Sequence, residues 1–361
     1  MVPKHQILMI QKSHSSENKT AFTKNIKDEI NLHITVDSVS KSQDNCFIVK
    51  PTSKWIDDAK LRPIPNMLFD VFWFENEVCI LFADTNIGKS ILALQIADSI
   101  SRNSPIYGFR LETGSKKVLY FDFELSDKQL ENRYSNNYQN HYKFHHNLFR
   151  AEINTEAEKP KEFKNFEDFL CHSIERQVED LGIQVIVIDN ITYLKDDNEK
   201  AKDALPLMKQ LKALAKKHNL SILVLAHTPK RNASQPITKN DLAGSKMLIN
   251  FCDSSFTIGD CANVPKQRYL KQVKQRNTEH VYHADNVILC EIKSVENFLG
   301  FNFIGYSEEE SHLKRFSTEN TLDRNSKVIE LKSTGLPNTQ IAKQLGVSEG
   351  TIRNILKNQI D

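Results

Sequence analysis

A glycine, a lysine and a serine stand together at positions 88–90, between a buried apolar run and an amphipathic one. From position 83 the chain reads Ala-Asp-Thr-Asn-Ile-Gly-Lys-Ser, the A-x-x-x-x-G-K-S spacing of a phosphate-binding loop between a strand and a helix. Backbone N–H groups at the start of such a helix cradle phosphate, Lys89 can reach the β- and γ-phosphates, and Ser90 can ligate Mg²⁺. The pattern predicts a site for ATP and Mg²⁺. The residues predicted to line it are Ala83, Asp84, Thr85, Asn86, Ile87, Gly88, Lys89, Ser90 and Ile91.

The first position of this loop departs from the usual pattern, because Ala83 stands where glycine is common. Alanine tolerates most turn geometries but resists a positive φ. Gly88, Lys89 and Ser90 are all present, so the sequence predicts phosphate binding and leaves the rate of hydrolysis open.

Two further apolar runs end in carboxylates, at Asp189 and at Glu124. Ligands of open α/β sheets bind at the carboxyl ends of the strands. Asp189 is predicted to hold the Mg²⁺ shell through water, and Glu124 to orient and activate an attacking water. Glu124 could instead be a solvated acid beside the helix cap at Ser126. Asp122 alternates to the other face and is the weaker candidate.

A histidine ends the next apolar run, at His227. It could contact the γ-phosphate and report hydrolysis, or it could be a structural residue. The segment that follows, residues 229–241, is polar, lacks glycine and contains two prolines, which is typical of a mobile loop. Lys230 and Arg231 make this loop a candidate contact for DNA.

Another basic stretch contains five cationic residues and no acid within eleven positions. From the residues alone, a solvated strand face and a nucleic-acid patch both remain open. The five residues are Lys266, Arg268, Lys271, Lys274 and Arg276.

Composition limits the classes that fit this chain of 361 residues. Its mean hydropathy is −0.47 and it contains no run of 18 apolar residues, which excludes a transmembrane helix and argues against a membrane partner. The first residues lack the apolar segment of a signal peptide, so we expect a cytoplasmic protein. Its six cysteines show no metal-binding spacing and are expected to be reduced. The net charge of +2 does not indicate nucleic-acid binding, which would have to come from local patches.

Strand-like and helix-like segments alternate between about 68 and 306, and the strands are continuously apolar. This predicts an α/β fold with a mainly parallel sheet covered on both faces, extended by antiparallel strands after 253. The N-terminal region has strand-like pieces only at 30–36 and 45–50. The predicted domains are an N-terminal extension (1–65), the ATPase domain (66–306), a charged linker (307–325) and a helical DNA-binding unit (326–361).

The last 36 residues predict three short helices, with Gly346 at the second turn and Ser348 capping the third helix. The run N-T-Q-I-A-K-Q-L-G-V-S-E-G-T-I-R-N-I-L resembles the helix-turn-helix of resolvases and sigma factors, which implies a third helix in the major groove. A small bundle for protein contact is the alternative. The residues expected at DNA are Ser348, Glu349, Thr351, Arg353 and Asn354 for bases, and Lys327, Lys343 and Lys357 for phosphates.

Taken in order, the motifs resemble the RecA-like ATPases, specifically the RepA/DnaB-type hexameric helicase group, over roughly residues 66–306. The matching segments are ADTNIGKS (83–90), YFDFELS (120–126), VIVIDN (185–190), LVLAHT (223–228), DLAGSKMLINFCDSSFTI (241–258) and KQRN (274–277). The resemblance implies that Glu124 is the catalytic base and His227 the γ-phosphate sensor. It also implies that Lys274 and Arg276 are K-x-R fingers reaching the ATP of a neighbouring subunit.

These implications lead to a specific expectation. The chain should be a homo-oligomer, a hexameric ring with active sites between subunits, in which Mg²⁺-dependent ATP hydrolysis drives binding, translocation or remodelling of DNA in replication or mobile-element maintenance. The main alternative is a sequence-specific DNA-binding regulator that ATP switches and that turns over slowly. A recombinase-like filament is a third possibility.

Overall fold

The computed structural model describes residues 47–191, 204–229, 231–242, 245–314 and 318–357. The chain divides into two compact units, Met1–Ile64 and Pro65–Asp361. In the first unit, helix α1 (Thr52–Lys60) carries an ion pair from Asp58 to Lys50 at 2.8 Å. Residues 47–50, the described part of the strand predicted at 45–50, form no strand, and the strand predicted at 30–36 lies outside the described residues.

The second unit contains all of the described strands. In chain order they are β1 (Met67–Phe69), β2 (Trp73–Phe74), β3 (Val78–Ala83), β4 (Val118–Asp122), β5 (Ser135–Asn136), β6 (Asn140–His141), β7 (Leu148–Ala151), β8 (Val185–Asp189), β9 (Ser221–His227), β10 (Ser254–Asp260), β11 (Gln267–Lys274), β12 (Val287–Val295) and β13 (Phe298–Ser307). Its described helices are α2 (Lys89–Arg102), α3 (Asp127–Arg133), α4 (Phe166–Leu181), α5 (Ala204–His218), α6 (Ser245–Phe251), α7 (Thr318–Ser333), α8 (Asn338–Leu345) and α9 (Glu349–Lys357).

Nine strands form one sheet in the order β13-β12-β11-β10-β3-β9-β8-β4-β7. The six strands from β10 to β7 are parallel, and β11, β12 and β13 continue the sheet antiparallel. The register pairs Ala83 with His227 and Asp122 with Asp189. The carboxyl ends of β3, β9, β8 and β4 therefore meet at one edge, which is where the predicted site residues stand.

Both faces of the sheet are covered by helices. Neighbouring residues of a strand point to opposite faces, and every residue of β3 is buried. On β3, Ile80 and Phe82 pack with the helices α4 and α5, while Cys79 and Leu81 pack with α2. The α/β class, the mainly parallel sheet and the small C-terminal helical unit are confirmed.

Several elements were not predicted. Strand β7 lies at the sheet edge, α6 precedes β10, and α1 forms in the N-terminal region. The predicted linker 307–325 includes a 3-10 helix, Glu309–His312, in which Glu309 is completely buried. In the C-terminal unit, α7, α8 and α9 pack around Val328, Ile341 and Ile352. Among the described helices, none has the length and apolar character needed to cross a membrane.

Candidate active site

The phosphate-binding loop joins β3 to α2 and ends at Gly88, whose backbone is in the left-handed region. Gly88 has φ +106°, and a Cβ there would lie 2.7 Å from Ile292 Cδ1, so this position requires glycine. Ala83 is the last residue of β3, where extended backbone suits any residue. The missing first glycine therefore introduces no backbone conflict.

Lys89 folds back over this loop. Its Nζ donates to the carbonyl oxygens of Ala83 at 2.9 Å and Asp84 at 2.8 Å, and lies 3.2 Å from His227 Nδ1. Burial lowers the pKa of Lys89, and the charges of Asp189, Glu124 and Asp84 oppose that shift. A buried ammonium beside backbone carbonyls is well placed to exchange them for phosphate oxygens.

Asp189 provides a buried carboxylate next to the serine of the loop. It accepts a hydrogen bond from Tyr120 Oη at 2.7 Å and another from the Ser90 hydroxyl. Burial raises its pKa to about 6, although both hydrogen bonds favour the charged form. A divalent cation would supply the positive charge that this carboxylate lacks. Ser90 and Asp189 thus fit a magnesium ion bound beside a triphosphate.

Glu124 lies across the same edge, with 42% of its side chain exposed. Its Oε1 accepts from Asn190 Nδ2 and lies 3.6 Å from His227 Nε2. The amide nitrogen of Asn190 is also 2.9 Å from His227 Nε2. Burial and the charge of Lys89 lower the pKa of His227, while Glu124 opposes the shift, so the imidazole is neutral at neutral pH.

Asp122 builds the turn that presents Glu124. It is buried, and its Oδ1 accepts from the backbone nitrogens of Glu124 at 3.2 Å and Leu125 at 3.0 Å. Its Oδ2 accepts from Arg150 Nε at 3.0 Å, and Arg150 also donates to the Leu125 carbonyl at 2.6 Å. Ser126 then caps α3 through a capping box. Arg150 was not predicted as a site residue, because β7 is short and carries no motif.

The antiparallel strands support the loop from the other side. Arg268, on β11, donates from Nε to the Ile87 carbonyl at 3.1 Å and pairs with Asp260 at 2.6 Å. Lys271 is buried against Glu309. Neither residue is part of a solvated strand face, which corrects that interpretation of the basic stretch for these two positions.

Lys274 and Arg276 are not brought to this edge. Lys274 Nζ donates to the Cys252 carbonyl at 2.7 Å, and Arg276 pairs with Asp253 at 3.1 Å. Asp253 itself accepts from the backbone nitrogen of Val78, at the start of β3. Strand β3 has six residues and spans roughly 17 Å. Both cations lie near its first residue, and the phosphate-binding loop follows its last residue, so the cations are at the opposite end of the strand from their own loop.

The residues predicted to contact DNA fall into two regions. Lys230 lies outside the described residues. The Arg231 side chain is only 10% exposed and donates to the Gln235 carbonyl within its own loop. On α9 and its cap, Ser348 Oγ accepts from the Thr351 backbone at 3.1 Å.

The remaining three predicted contacts on α9 are exposed to solvent. Arg353 pairs with Glu349 at 2.8 Å, and its side chain is 68% exposed. Asn354 and Lys357 are exposed as well.

Comparison with known proteins adds two findings. The model of a family described as "AAA domain" matches residues 48–233. A crystal structure of a KaiC-like protein from the hyperthermophilic archaeon Pyrococcus horikoshii OT3 is similar at 15% identity, with a TM-score of 0.45, over 63% of this chain and 90% of that one. No functionally curated protein matches the sequence.

Proposed function

The chain belongs to the AAA domain family and is a RecA-like P-loop ATPase, and from that premise we propose that its hydrolysis requires Mg²⁺ and is coupled to binding, translocation or remodelling of DNA. The observation that carries the proposal is the meeting of five groups at one sheet edge. They are Lys89, Ser90, Glu124, Asp189 and His227.

Each of these side chains has a distinct part in the proposed reaction. Ser90 and Asp189 would hold Mg²⁺, which lowers the negative charge of the phosphates when bound. Lys89 would leave the carbonyls of Ala83 and Asp84 for the β- and γ-phosphates. Glu124, partly exposed and oriented by its turn, would accept a proton from the attacking water at a carboxylate oxygen.

The position of Lys274 and Arg276 supports an oligomer. Lys274 and Arg276 lie at the opposite end of β3 from their own phosphate-binding loop, so they cannot reach that loop. A neighbouring copy of the chain could place them at the γ-phosphate, where cations supplied in trans have a large effect on rate. We therefore propose a homo-oligomer, a hexameric ring, with active sites between subunits.

Coupling to DNA is proposed from the C-terminal unit. Helix α9 follows a turn at Gly346, and its outer side presents Arg353, Asn354 and Lys357. Single copies of so small a helical unit would bind weakly, and several copies in one ring would gain avidity.

The first test measures ATP turnover of wild type, Glu124→Gln and the matched control Glu131→Gln, with and without single-stranded DNA. Glu131 is a half-buried glutamate on α3 that pairs with Lys128 and His141, away from the proposed site. Losing a general base costs typically 10²–10⁴-fold, so we expect that loss for Glu124→Gln alone, with nucleotide binding retained. Equal turnover of wild type and Glu124→Gln would contradict the assigned base.

Mixing two inactive variants tests the shared active site. Glu124→Gln and Arg276→Ala subunits should each be inactive, and mixed oligomers should recover activity where an intact Glu124 faces an intact Arg276. No recovery in demonstrably mixed oligomers would contradict the arrangement. Unwinding of a forked DNA duplex distinguishes the two candidate functions. A translocating ATPase should unwind the duplex with ATP, and an ATP-switched DNA-binding regulator should not.

A further inference from the structure

The short segment 274–277, which contains both cations proposed to act on a neighbouring copy, is anchored to the fold by its two uncharged residues. Gln275 Nε2 donates to the Phe72 carbonyl at 3.1 Å, and Asn277 Nδ2 donates to Glu77 Oε1 at 2.7 Å. Glu77 is buried, with 3% of its surface exposed. The backbone of the segment is therefore held in place, and the direction of each cation depends on contacts of its own.

Lys274 is directed by the end of a helix. Its Nζ donates to the carbonyl oxygens of Ile249, in the last turn of α6, and of Cys252, which follows that helix. The carbonyls at a helix C-terminus lack partners within the helix and carry partial negative charge, so a lysine is favourable there. Lys274 is thus positioned by backbone groups of α6 and needs no carboxylate.

Arg276 depends on a single carboxylate instead. Its Nη1 lies 3.1 Å from Asp253 Oδ1, which is the one ion pair of Arg276 within the described part of the chain, and its side chain is 52% exposed. Asp253 is more buried, and it is fixed against the start of β3. Its backbone nitrogen donates to the Val78 carbonyl at 2.8 Å, and its Oδ2 accepts from the Val78 nitrogen at 3.1 Å. An immobilised carboxylate therefore sets the direction of an exposed guanidinium.

Lys212 on α5 shares the same carboxylate oxygen. Its Nζ donates to Asp253 Oδ1 at 2.9 Å and to the Phe251 carbonyl at 3.0 Å. Asp253 therefore stays paired when Arg276 leaves it, which avoids the cost of an unpaired, half-buried charge. Three cations (Lys212, Lys274 and Arg276) are grouped around this one carboxylate, so the cluster has an excess of positive charge that suits a phosphate group.

We propose that Asp253 is the positioning residue of Arg276, and that Lys212 shares its carboxylate so that the arginine can leave it for a phosphate oxygen of the neighbouring copy's nucleotide. This inference rests on the proposed active site between subunits and deepens it. Asp253 orients the guanidinium before the neighbouring nucleotide is reached, so less reorganisation is needed at that moment. Lys212 then keeps the carboxylate paired after the arginine has moved.

The replacement Asp253→Asn tests this contact with little change in shape. The asparagine oxygen can still accept from the Val78 backbone nitrogen, and the charge that pairs with Arg276 is lost. The matched control is Asp180→Asn, at an exposed aspartate on α4. Lys212→Met is the opposite perturbation, because it leaves Arg276 without a competitor at the Asp253 carboxylate.

The direct readout is the rate at which phenylglyoxal modifies Arg276 in nucleotide-free protein, measured by peptide mass spectrometry. Because the ion pair shields the guanidinium, Asp253→Asn should accelerate this reaction by about 1.5–5-fold, the equilibrium factor of a partly exposed pair, and Lys212→Met should slow it. Arg353, which pairs with Glu349 on α9, should keep its rate in every variant. An unchanged rate for Arg276 in folded Asp253→Asn overturns the proposal. If that variant does not fold, an unchanged or faster rate in Lys212→Met overturns it.

Kinetics of mixed oligomers provide a second readout. A misplaced catalytic group costs up to about 10²-fold, so Asp253→Asn should lower kcat by roughly 10–100-fold and leave the KM for ATP unchanged. Mixed with Glu124→Gln it should recover activity, because the Glu124→Gln subunits supply an intact Asp253 and Arg276. Mixed with Arg276→Ala it should not recover, whereas a subunit that is merely misfolded recovers with neither.

Two kinetic outcomes overturn the proposal. One is an unchanged kcat in Asp253→Asn. The other is a failure of Asp253→Asn to recover with Glu124→Gln under conditions where Arg276→Ala does recover. If Glu124→Gln and Arg276→Ala do not recover together, the active site between subunits is contradicted instead, and the modification rates of Arg276 still decide the role of Asp253.

Discussion

Removing the carboxylate of Glu309 should strongly destabilise the second unit, because it would leave a buried cation unpaired. Glu309 is fully buried and forms an ion pair with Lys271, which is 9% exposed. It also accepts from the Ile237 backbone nitrogen at 2.8 Å and from Tyr269 Oη at 3.1 Å. Lys271 in turn donates to the Ile237 carbonyl at 2.8 Å. The ion pair therefore also holds the loop that follows β9, through the backbone of Ile237.

The size of the effect can be worked from these contacts. Breaking a buried pair by removing one partner costs about 3–5 kcal/mol. The Ile237 N–H also loses its acceptor, and an unsatisfied buried group costs about 1–3 kcal/mol. Glu309→Ala should therefore lower the free energy of unfolding by about 4–8 kcal/mol in total. About 1 kcal/mol shifts the Tm by roughly 2–4 °C in domains somewhat smaller than this one, so the Tm should fall by roughly 8–30 °C.

The assay is urea unfolding followed by the fluorescence of buried Trp73 in a Trp55→Phe background. Glu310→Ala is the matched control, since Glu310 is the exposed neighbour. The double variant Lys271→Met with Glu309→Leu should recover part of the loss, because no charge is then left unpaired. The reasoning is refuted if Glu309→Ala unfolds within about 1 kcal/mol of Glu310→Ala.

Two further predictions concern ionisation. Because the pKa of Asp189 is raised to about 6, the folded state binds the extra proton between about pH 4 and 6; stability falls as pH rises through that window and is level above it. Asp189→Asn should therefore stabilise metal-free, nucleotide-free protein at pH 7 by up to about 3 kcal/mol in urea unfolding, and equal stability at pH 7 would contradict this. Burial, with nearby carboxylates, raises the pKa of Cys171 to about 12, so mass spectrometry should show alkylation at pH 8 on the order of 10³-fold slower than for an ordinary thiol.

Much of the fold could be predicted because buried parallel strands are continuously apolar and end in chemically distinctive residues. The strands that end at Ala83, Asp189 and His227 were each recognisable in this way. Strand β7, by contrast, is four residues long, and its pairing with β4 depends on tertiary contact. Helix α1 has no buried residue in the described structure, so no apolar pattern indicated it.

The candidate site was predictable where a local motif supplies its residue and unpredictable where one side chain positions another. Lys89 and Asp189 follow from local spacing alone. Arg150 reaches the Glu124 turn from a different strand, and Asn190 contacts Glu124 and His227, which are distant from it in sequence. Glu309 was assigned to a charged linker. It is the middle one of three consecutive glutamates, and composition cannot indicate which of the three is buried.

The cationic residues of β11 are close in sequence but have different positions and contacts in the fold. Successive residues of a strand point to opposite faces, so Arg268 and Lys271 lie on different sides of the sheet. Arg268 supports the phosphate-binding loop, Lys271 anchors the loop after β9 through Glu309, and Lys274 lies at the far end of the strand. Strand β11 thereby contacts the phosphate-binding loop and the loop that follows His227, and its far end lies where the next subunit is proposed to bind. A shift of β11 caused by a neighbouring copy would reach both loops, which gives the proposed oligomer a direct physical route to its own active site.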